Sequence, residues 1–243
     1  RLSGATVHVY PHTDTRALAE LLTQHPARRR LVVTDSVFSM DGDHAPLRDI
    51  ATIAAAHDAM LMVDEAHATG VDGPSGAGLV EALGLHDAVT VQMGTLGKAL
   101  GCAGAFIAGS QSLIDLLVNR ARSLIYTTAL PPPVVAAVDA ALDVVAREPE
   151  RRARLATISA ELRERLRAIG FEIPPGEGPI IPVIAGSSER ALAWSRGLLE
   201  RGVFVPAIRP PTVPAGTARL RVTLMATHSD DDLRHAVDAF AAL

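Results

Sequence analysis

The sequence predicts an α/β fold, a mostly parallel sheet flanked by helices, followed by a smaller α+β domain. Three observations point there. Short apolar, β-branched runs alternate with helical periodicity through the first half of the chain. The runs are continuously apolar, the pattern of strands buried on both faces. After Pro131-Pro132-Pro133 the order changes to long helices around a few short strands.

The elements follow in order. Ala5 to Tyr10 reads as a strand, and Asp14 precedes a helical pattern through Gln24. Arg30 to Asp35 is a second strand. Pro46 to His57 has apolar residues at Leu47, Ile50, Ile53 and Ala54, which is helical spacing. Met60 to Val63, Ala88 to Gln92 and Ala103 to Ala108 are three further strands, and Ser112 to Ala121 is a helix. Past the prolines, Val134 to Arg147 and Arg151 to Ile169 are helices. Ile180 to Ile184, Val203 to Val205 and Leu220 to Leu224 are strand candidates, and Ser188 to Glu200 and Ser229 to Leu243 close as helices. The expected domains are 1–135 and 136–243.

Composition narrows the function. Aromatics are only 3% of the chain, so the core rests on Ala, Val, Leu and Ile. A net charge of −4 without a basic block argues against nucleic acid as a main partner. The single cysteine, Cys102, excludes an intrachain disulfide and suits a reducing cytoplasm. No apolar run is long enough to span a membrane. The chain opens at Arg1 without methionine and reads as one cut inside a domain.

Ligands bind at the carboxyl ends of strands in such sheets, and Asp35, Asp64 and Thr95 stand there. Asp64 ends the run Met60-Leu61-Met62-Val63. Lys98 follows the run Ala88 to Gln92 in a loop with Gly94, Gly97, Gly101 and Gly104. An amine in a glycine-framed loop and an acid after a neighbouring strand suit pyridoxal 5'-phosphate. The lysine would hold it as a Schiff base, and the acid would keep the pyridine nitrogen protonated. Each residue alone has an ordinary explanation: a surface lysine, and a carboxylate capping a turn. The loop is not a phosphate-binding P-loop, because two residues rather than four separate Gly94 from Gly97-Lys98, and Ala99 follows. Asp64-Glu65-Ala66-His67 matches a helicase box in letters only, with no P-loop upstream. No metal is expected, since Asp64, His67, His57 and His44 lack the helical ligand spacing of metal motifs. Near the C-terminus, Arg219 and Arg221 alternate on a strand and share a face; one of them could clamp a carboxylate.

Four segments together resemble the α-oxoamine synthases, fold-type I PLP enzymes with the aspartate aminotransferase-like large domain. They are Ser36 to Asp43, Val63 to Gly70, Thr95 to Lys98 and Tyr126 to Pro132. The stretch Ile208 to Arg221 most resembles the biotin-pathway branch of the family. The resemblance implies PLP on Lys98, which also moves the Cα proton, with Asp64 on the ring nitrogen and His67 and Ser39 at the phenolic oxygen. Thr95 would bind the phosphate, and Thr127 or Thr128 would do so from the neighbouring subunit of a homodimer. Arg221 would hold the amino-acid carboxylate. It further implies L-alanine and pimeloyl-CoA or pimeloyl-ACP as substrates. The alternatives are a sibling reaction of glycine with an acyl-CoA, and an inactive fragment or non-catalytic subunit. Family members carry a further segment before the point matching Arg1, so the 243-residue chain is expected to be N-terminally truncated and not to turn over alone.

Overall fold

The computed structural model describes residues 3–243; Arg1 and Leu2, where the expected first domain begins, lie outside the described residues. The chain divides into two compact units. One comprises residues 1–37 and 45–146, the other residues 38–44 and 147–243. The expected boundary near residue 135 falls inside a continuous helix, Pro132–Arg147. The division comes at its end, where a helix need not be broken between two cores.

In the first unit, α1 (Thr15–Gln24) starts at Asp14, whose side chain accepts from the Ala17 N–H. Then come β1 (Leu31–Asp35), α2 (Leu47–Ala56), β2 (Met60–Asp64), α3 (Leu79–Leu83), β3 (Val91–Thr95) and β4 (Ala105–Gly109). Helices α4 (Gln111–Arg120), α5 (Arg122–Ile125) and α6 (Pro132–Arg147) follow. The sheet order is β1-β2-β3-β4. The first three strands are parallel, and β4 returns antiparallel to β3. Three parallel strands therefore end side by side at Asp35, Asp64 and Thr95, as the strand-end reading expects.

Three expectations change. Ala5 to Tyr10 forms no strand and pairs with none among the described residues; Val9 is 87% exposed. A β-branched run makes a strand only where a ladder partner exists. β3 begins at Val91, because residues 86–88 form a 3₁₀ turn in which Ala88 and Val89 N–H both donate to the Leu85 carbonyl. Finally, one sheet face is open among the described residues. Val32, Leu61 and Val63 are buried on the face that α2 shares, while Leu31, Val33 and Met60 on the other are exposed. The continuous apolar runs gave no hint of this, because the open face is apolar too.

The second unit holds α7 (Glu150–Ala168), β5 (Ile180–Gly186), α8 (Ser188–Glu200), β6 (Ala207–Ile208), β7 (Ala218–Thr223) and α9 (Asp230–Ala241). Its antiparallel sheet runs β5-β7-β6. Ile158, Leu162 and Leu166 of α7, Leu198 of α8 and Phe240 of α9 form one core with Ile181, Val183 and Leu220 of the sheet. Phe171 meets Trp194 and Phe240 edge-on, with ring centroids 5.2 Å apart in both pairs. Burying a side chain such as Phe240 contributes about 1.5–3 kcal/mol. Ser229 and Asp232 close a reciprocal capping box at the start of α9. Val203 to Val205 is not a strand, since Ser195 Oγ donates to the Val205 carbonyl at 2.6 Å. The short β6 pairs with β7 instead, through Ala207 and Ile208. No described helix is long and apolar enough to cross a membrane.

Candidate active site

The first unit gathers its chemistry at the carboxyl ends of β1, β2 and β3. Asp35 and Asp64 are register partners on adjacent parallel strands. The Asp64 carboxylate is oriented by its own turn: Oδ1 accepts from the Ala66 N–H at 2.8 Å. Its backbone is tied down as well, since Ser36 donates to the Asp64 carbonyl from N–H at 2.8 Å and from Oγ at 3.1 Å. The turn-capping explanation of an acid at this position is thus true of Asp64, yet it engages only one carboxylate oxygen in that bond.

Glu65 has a different task. It is 2% exposed, and its two oxygens accept from the Leu79 and Val80 N–H groups at 3.0 and 2.7 Å, capping α3. A Cβ on Gly78 would come within 2.7 Å of that carboxylate, so only glycine fits there. The buried acid of the Asp64-Glu65 pair is therefore architectural, and the partly accessible one is left for chemistry.

Lys98 is exposed in the loop joining β3 to β4. The Leu96 N–H donates to the Gly104 carbonyl at 3.0 Å, the Cys102 N–H to Leu96 at 2.8 Å and the Gly101 N–H to Lys98 at 3.0 Å. Gly101 takes φ +62°, the left-handed conformation that lets the turn close behind the lysine. This loop and the Asp64 loop touch: a Cβ on Gly70 would meet the Ala99 Cβ at 2.8 Å. Gly94 likewise admits the Phe106 ring and Thr69 Oγ1, which a Cβ would meet at 2.4 and 2.9 Å.

Electrostatics join the same groups. Burial pushes the Asp35 carboxyl above its ordinary value, the Asp64 carboxylate raises it further, and the Lys98 ammonium opposes both. One carboxyl therefore feels Asp64 and Lys98 together. Asp35 was legible as a strand-end acid but not as a member of the site; its register with Asp64 supplies the signal. The linkage is simple. A folded-state pKa above the unfolded one means that the native state holds the extra proton. Stability then falls as pH rises from the unfolded value through the folded one. Asp35→Asn is expected to raise the melting temperature at neutral pH, with the gain vanishing at a pH below the ordinary carboxylate value. Thermal melts of both proteins across that range test it.

Thr95 ends β3, and its Oγ1 is a buried hydroxyl with no hydrogen-bond partner. Such an atom fits a ligand that brings an acceptor, as a phosphate does. His67 stands in the turn after Asp64, half-buried. Thr127 and Thr128 lie in an exposed segment between α5 and α6, where Thr127 Oγ1 donates to the Thr128 carbonyl at 3.3 Å. That segment runs on to Leu130, which packs at Gly104 at the end of the lysine loop.

Ser39 and Arg221 belong to the second unit and meet there: Arg221 Nε donates to the Ser39 carbonyl at 2.5 Å. Burial lowers the pKa of the Arg221 guanidinium from its ordinary value. Arg219 on the same face donates to the Met40 carbonyl at 3.2 Å and to Asp41 Oδ1 at 2.5 Å.

An oriented carboxylate, an exposed lysine on an adjoining loop and an orphaned hydroxyl fit the donor set that PLP requires. The aminotransferase class I and II family matches residues 1–240. An 8-amino-7-oxononanoate synthase of Anaeromyxobacter dehalogenans is 55% identical over 99% of this chain and 60% of its own length. One from Geobacter metallireducens is 52% identical over 100% of this chain and 63% of its own. Among solved structures, a Sphingomonas wittichii serine palmitoyltransferase superposes with a TM-score of 0.91 at 34% identity, over 95% of this chain and 59% of that one. An 8-amino-7-oxononanoate synthase from Francisella tularensis does so with 0.84 at 28% identity, over 99% and 69%. The chain spans about 60% of the length of the curated relatives it matches. On this evidence of sequence, fold and site, the chain belongs to the aminotransferase class I and II family.

Proposed function

We propose that this chain provides the lysine-bearing part of a PLP-dependent enzyme. The enzyme condenses L-alanine with a pimeloyl thioester, on CoA or acyl carrier protein, and releases the free carrier thiol, carbon dioxide and 8-amino-7-oxononanoate. The observation that carries the reading is the meeting of the Asp64 and Lys98 loops at Gly70 and Ala99. The names of the relatives support the substrate pair. When bound, PLP supplies an electron sink for a carbanion at the amino-acid Cα.

The residues act as follows. Lys98 would hold the cofactor through Nζ and would take the Cα proton of L-alanine as a base. Asp64, held by the Ala66 N–H, keeps a proton on the ring nitrogen because its negative charge favours the cationic form. Thr95 donates its hydroxyl to the phosphate. His67 and Ser39 hydrogen-bond the phenolic oxygen. Thr127 or Thr128 reaches the phosphate of a second copy in a homodimer, whose interface would cover Leu116, Val118, Leu124 and Ile125, all exposed here. Arg221 grips the substrate carboxylate with its guanidinium fork. The setting is cytoplasmic, where the single thiol of Cys102 stays reduced.

A sibling reaction, with glycine and an acyl-CoA, is retained because this fold also serves other amino acids: a serine palmitoyltransferase superposes with a TM-score of 0.91. Fold similarity does not fix substrate. Exchange of the Cα proton in deuterated buffer separates the two readings, since it needs only the amino acid and the cofactor-loaded protein. L-Alanine is expected to exchange at least about 10-fold faster than glycine, the value of one well-placed methyl group. Faster exchange of glycine would favour the sibling, and exchange of neither would overturn the PLP reading.

A further inference from the structure

The loop between β1 and α2 is split in allegiance. Ser36 and Val37 stay with the first unit, but residues 38–44 belong to the second. The cause lies on the central strand of the second sheet. Arg219 and Arg221 point to one face of β7 and grip three consecutive residues: Arg221 takes the Ser39 carbonyl, and Arg219 takes the Met40 carbonyl and the Asp41 carboxylate. The Arg219 side chain is only 6% exposed, whereas that of Asp41 is 42% exposed. Gly42 completes the grip: it takes φ +65°, and a Cβ there would come within 2.2 Å of the Ile180 carbonyl on β5. Inside the loop, the Gly42 N–H donates to the Phe38 carbonyl at 2.8 Å and the Phe38 N–H to Asp43 at 3.0 Å.

We propose that Asp41 and Arg219 are positioning residues for substrate-carboxylate recognition, acting through Ser39 and Arg221. The physical reason is the geometry of the arginine fork. An arginine binds a carboxylate well only when its plane is fixed, and the Nε bond to Ser39 fixes that of Arg221. Nη1 reaches Thr223 Oγ1 only weakly, at 3.5 Å, so the Nη1–Nη2 end is the part of the fork able to turn to a ligand. The Ser39 carbonyl can hold Nε in place only while the loop is held, and the Arg219–Asp41 pair holds it one and two residues further on. The proposal rests on the role given to Arg221 in the functional reading.

The test uses Asp41→Asn, which keeps the shape and removes the charge, with Asp41→Glu as the rescue and Arg219→Lys as the reciprocal variant. Spectral titration of the cofactor-loaded protein with L-alanine reads amino-acid affinity, and Cα-proton exchange in deuterated buffer gives kcat beside KM without need of the thioester. Asp41→Asn is expected to weaken L-alanine binding and raise its KM by about 10-fold, the scale of one charge-assisted hydrogen bond in a half-exposed setting. It should lower kcat by less than about threefold, and cofactor uptake by no more than that, because Lys98, Asp64 and Thr95 hold the cofactor besides Ser39. Asp41→Glu should recover most of the affinity, and Arg219→Lys should resemble Asp41→Asn, because a lysine cannot span two acceptors with a rigid fork. Hydrogen exchange at the Gly42 amide, read without cofactor, should quicken by about 10-fold in Asp41→Asn. Wild-type affinity for L-alanine in Asp41→Asn overturns the proposal, as does an equal fall of affinity and cofactor uptake. If the wild-type protein takes up no cofactor, the functional reading has failed instead; unchanged Gly42 exchange in Asp41→Asn would then overturn the grip itself.

Discussion

Lys98→Ala is expected to slow Cα-proton exchange by on the order of 10⁴-fold or more, because the proposed function has one side chain both anchor the cofactor and move the Cα proton. The visible absorbance of the lysine-bound cofactor should disappear, while the melting temperature stays within the small range of a surface substitution. The second expectation follows from exposure: Lys98 projects from a loop closed by backbone bonds at Leu96, Gly101 and Cys102, and its side chain supports none of them. Adding a small primary amine should restore part of the Cα exchange, since the amine replaces the lost base and not a lost fold. A persistent lysine-type absorbance in the variant would remove Lys98 from its role.

Asp64→Asn should be nearly as damaging for a different reason. The amide keeps an oxygen for the Ala66 N–H, so the turn survives. The negative charge is gone, and with it the preference for a protonated ring nitrogen. Loss of an electrostatic contact at developing charge costs roughly 10²- to 10³-fold in rate. Cofactor uptake should persist, because Lys98 and Thr95 are untouched. Measuring Cα exchange and cofactor affinity in the same preparation distinguishes this from a binding defect: exchange should collapse while affinity changes little. The nearby Asp35 should also titrate lower in this variant, because the Asp64 carboxylate is one of the two causes that raise it.

The parts of the site legible in the sequence are those set by local pattern. Continuous apolar runs ending in Asp35, Asp64 and Thr95 gave the strand ends, since burial and β-branching act over a few residues. The glycine-framed lysine loop was legible for the same reason: Gly101 must take a left-handed turn. What local pattern could not reveal depends on distant partners. Ala5 to Tyr10 has strand composition but no ladder partner among the described residues. The open face of the first sheet is as apolar as the covered one, so Leu31 and Val33 read as core. Glu65 stands beside Asp64 in the sequence, yet it caps α3 through Leu79 and Val80, 14 and 15 residues on. The capture of Ser39 and Asp41 by Arg221 and Arg219 spans 182 and 178 residues; only the fold brings those acceptors to the two guanidinium groups.

In the proposed function, Lys98 and Asp64 serve one pyridine ring. The most direct measurement is the nitrogen-15 resonance of ring-labelled PLP on the purified protein, in wild type and in Asp64→Asn, with borohydride reduction and peptide mapping to locate the attachment. The expected result is attachment at Lys98 in both proteins, with the ring nitrogen protonated in wild type and unprotonated in the variant. Attachment at another residue, or the same nitrogen state in both proteins, would contradict it.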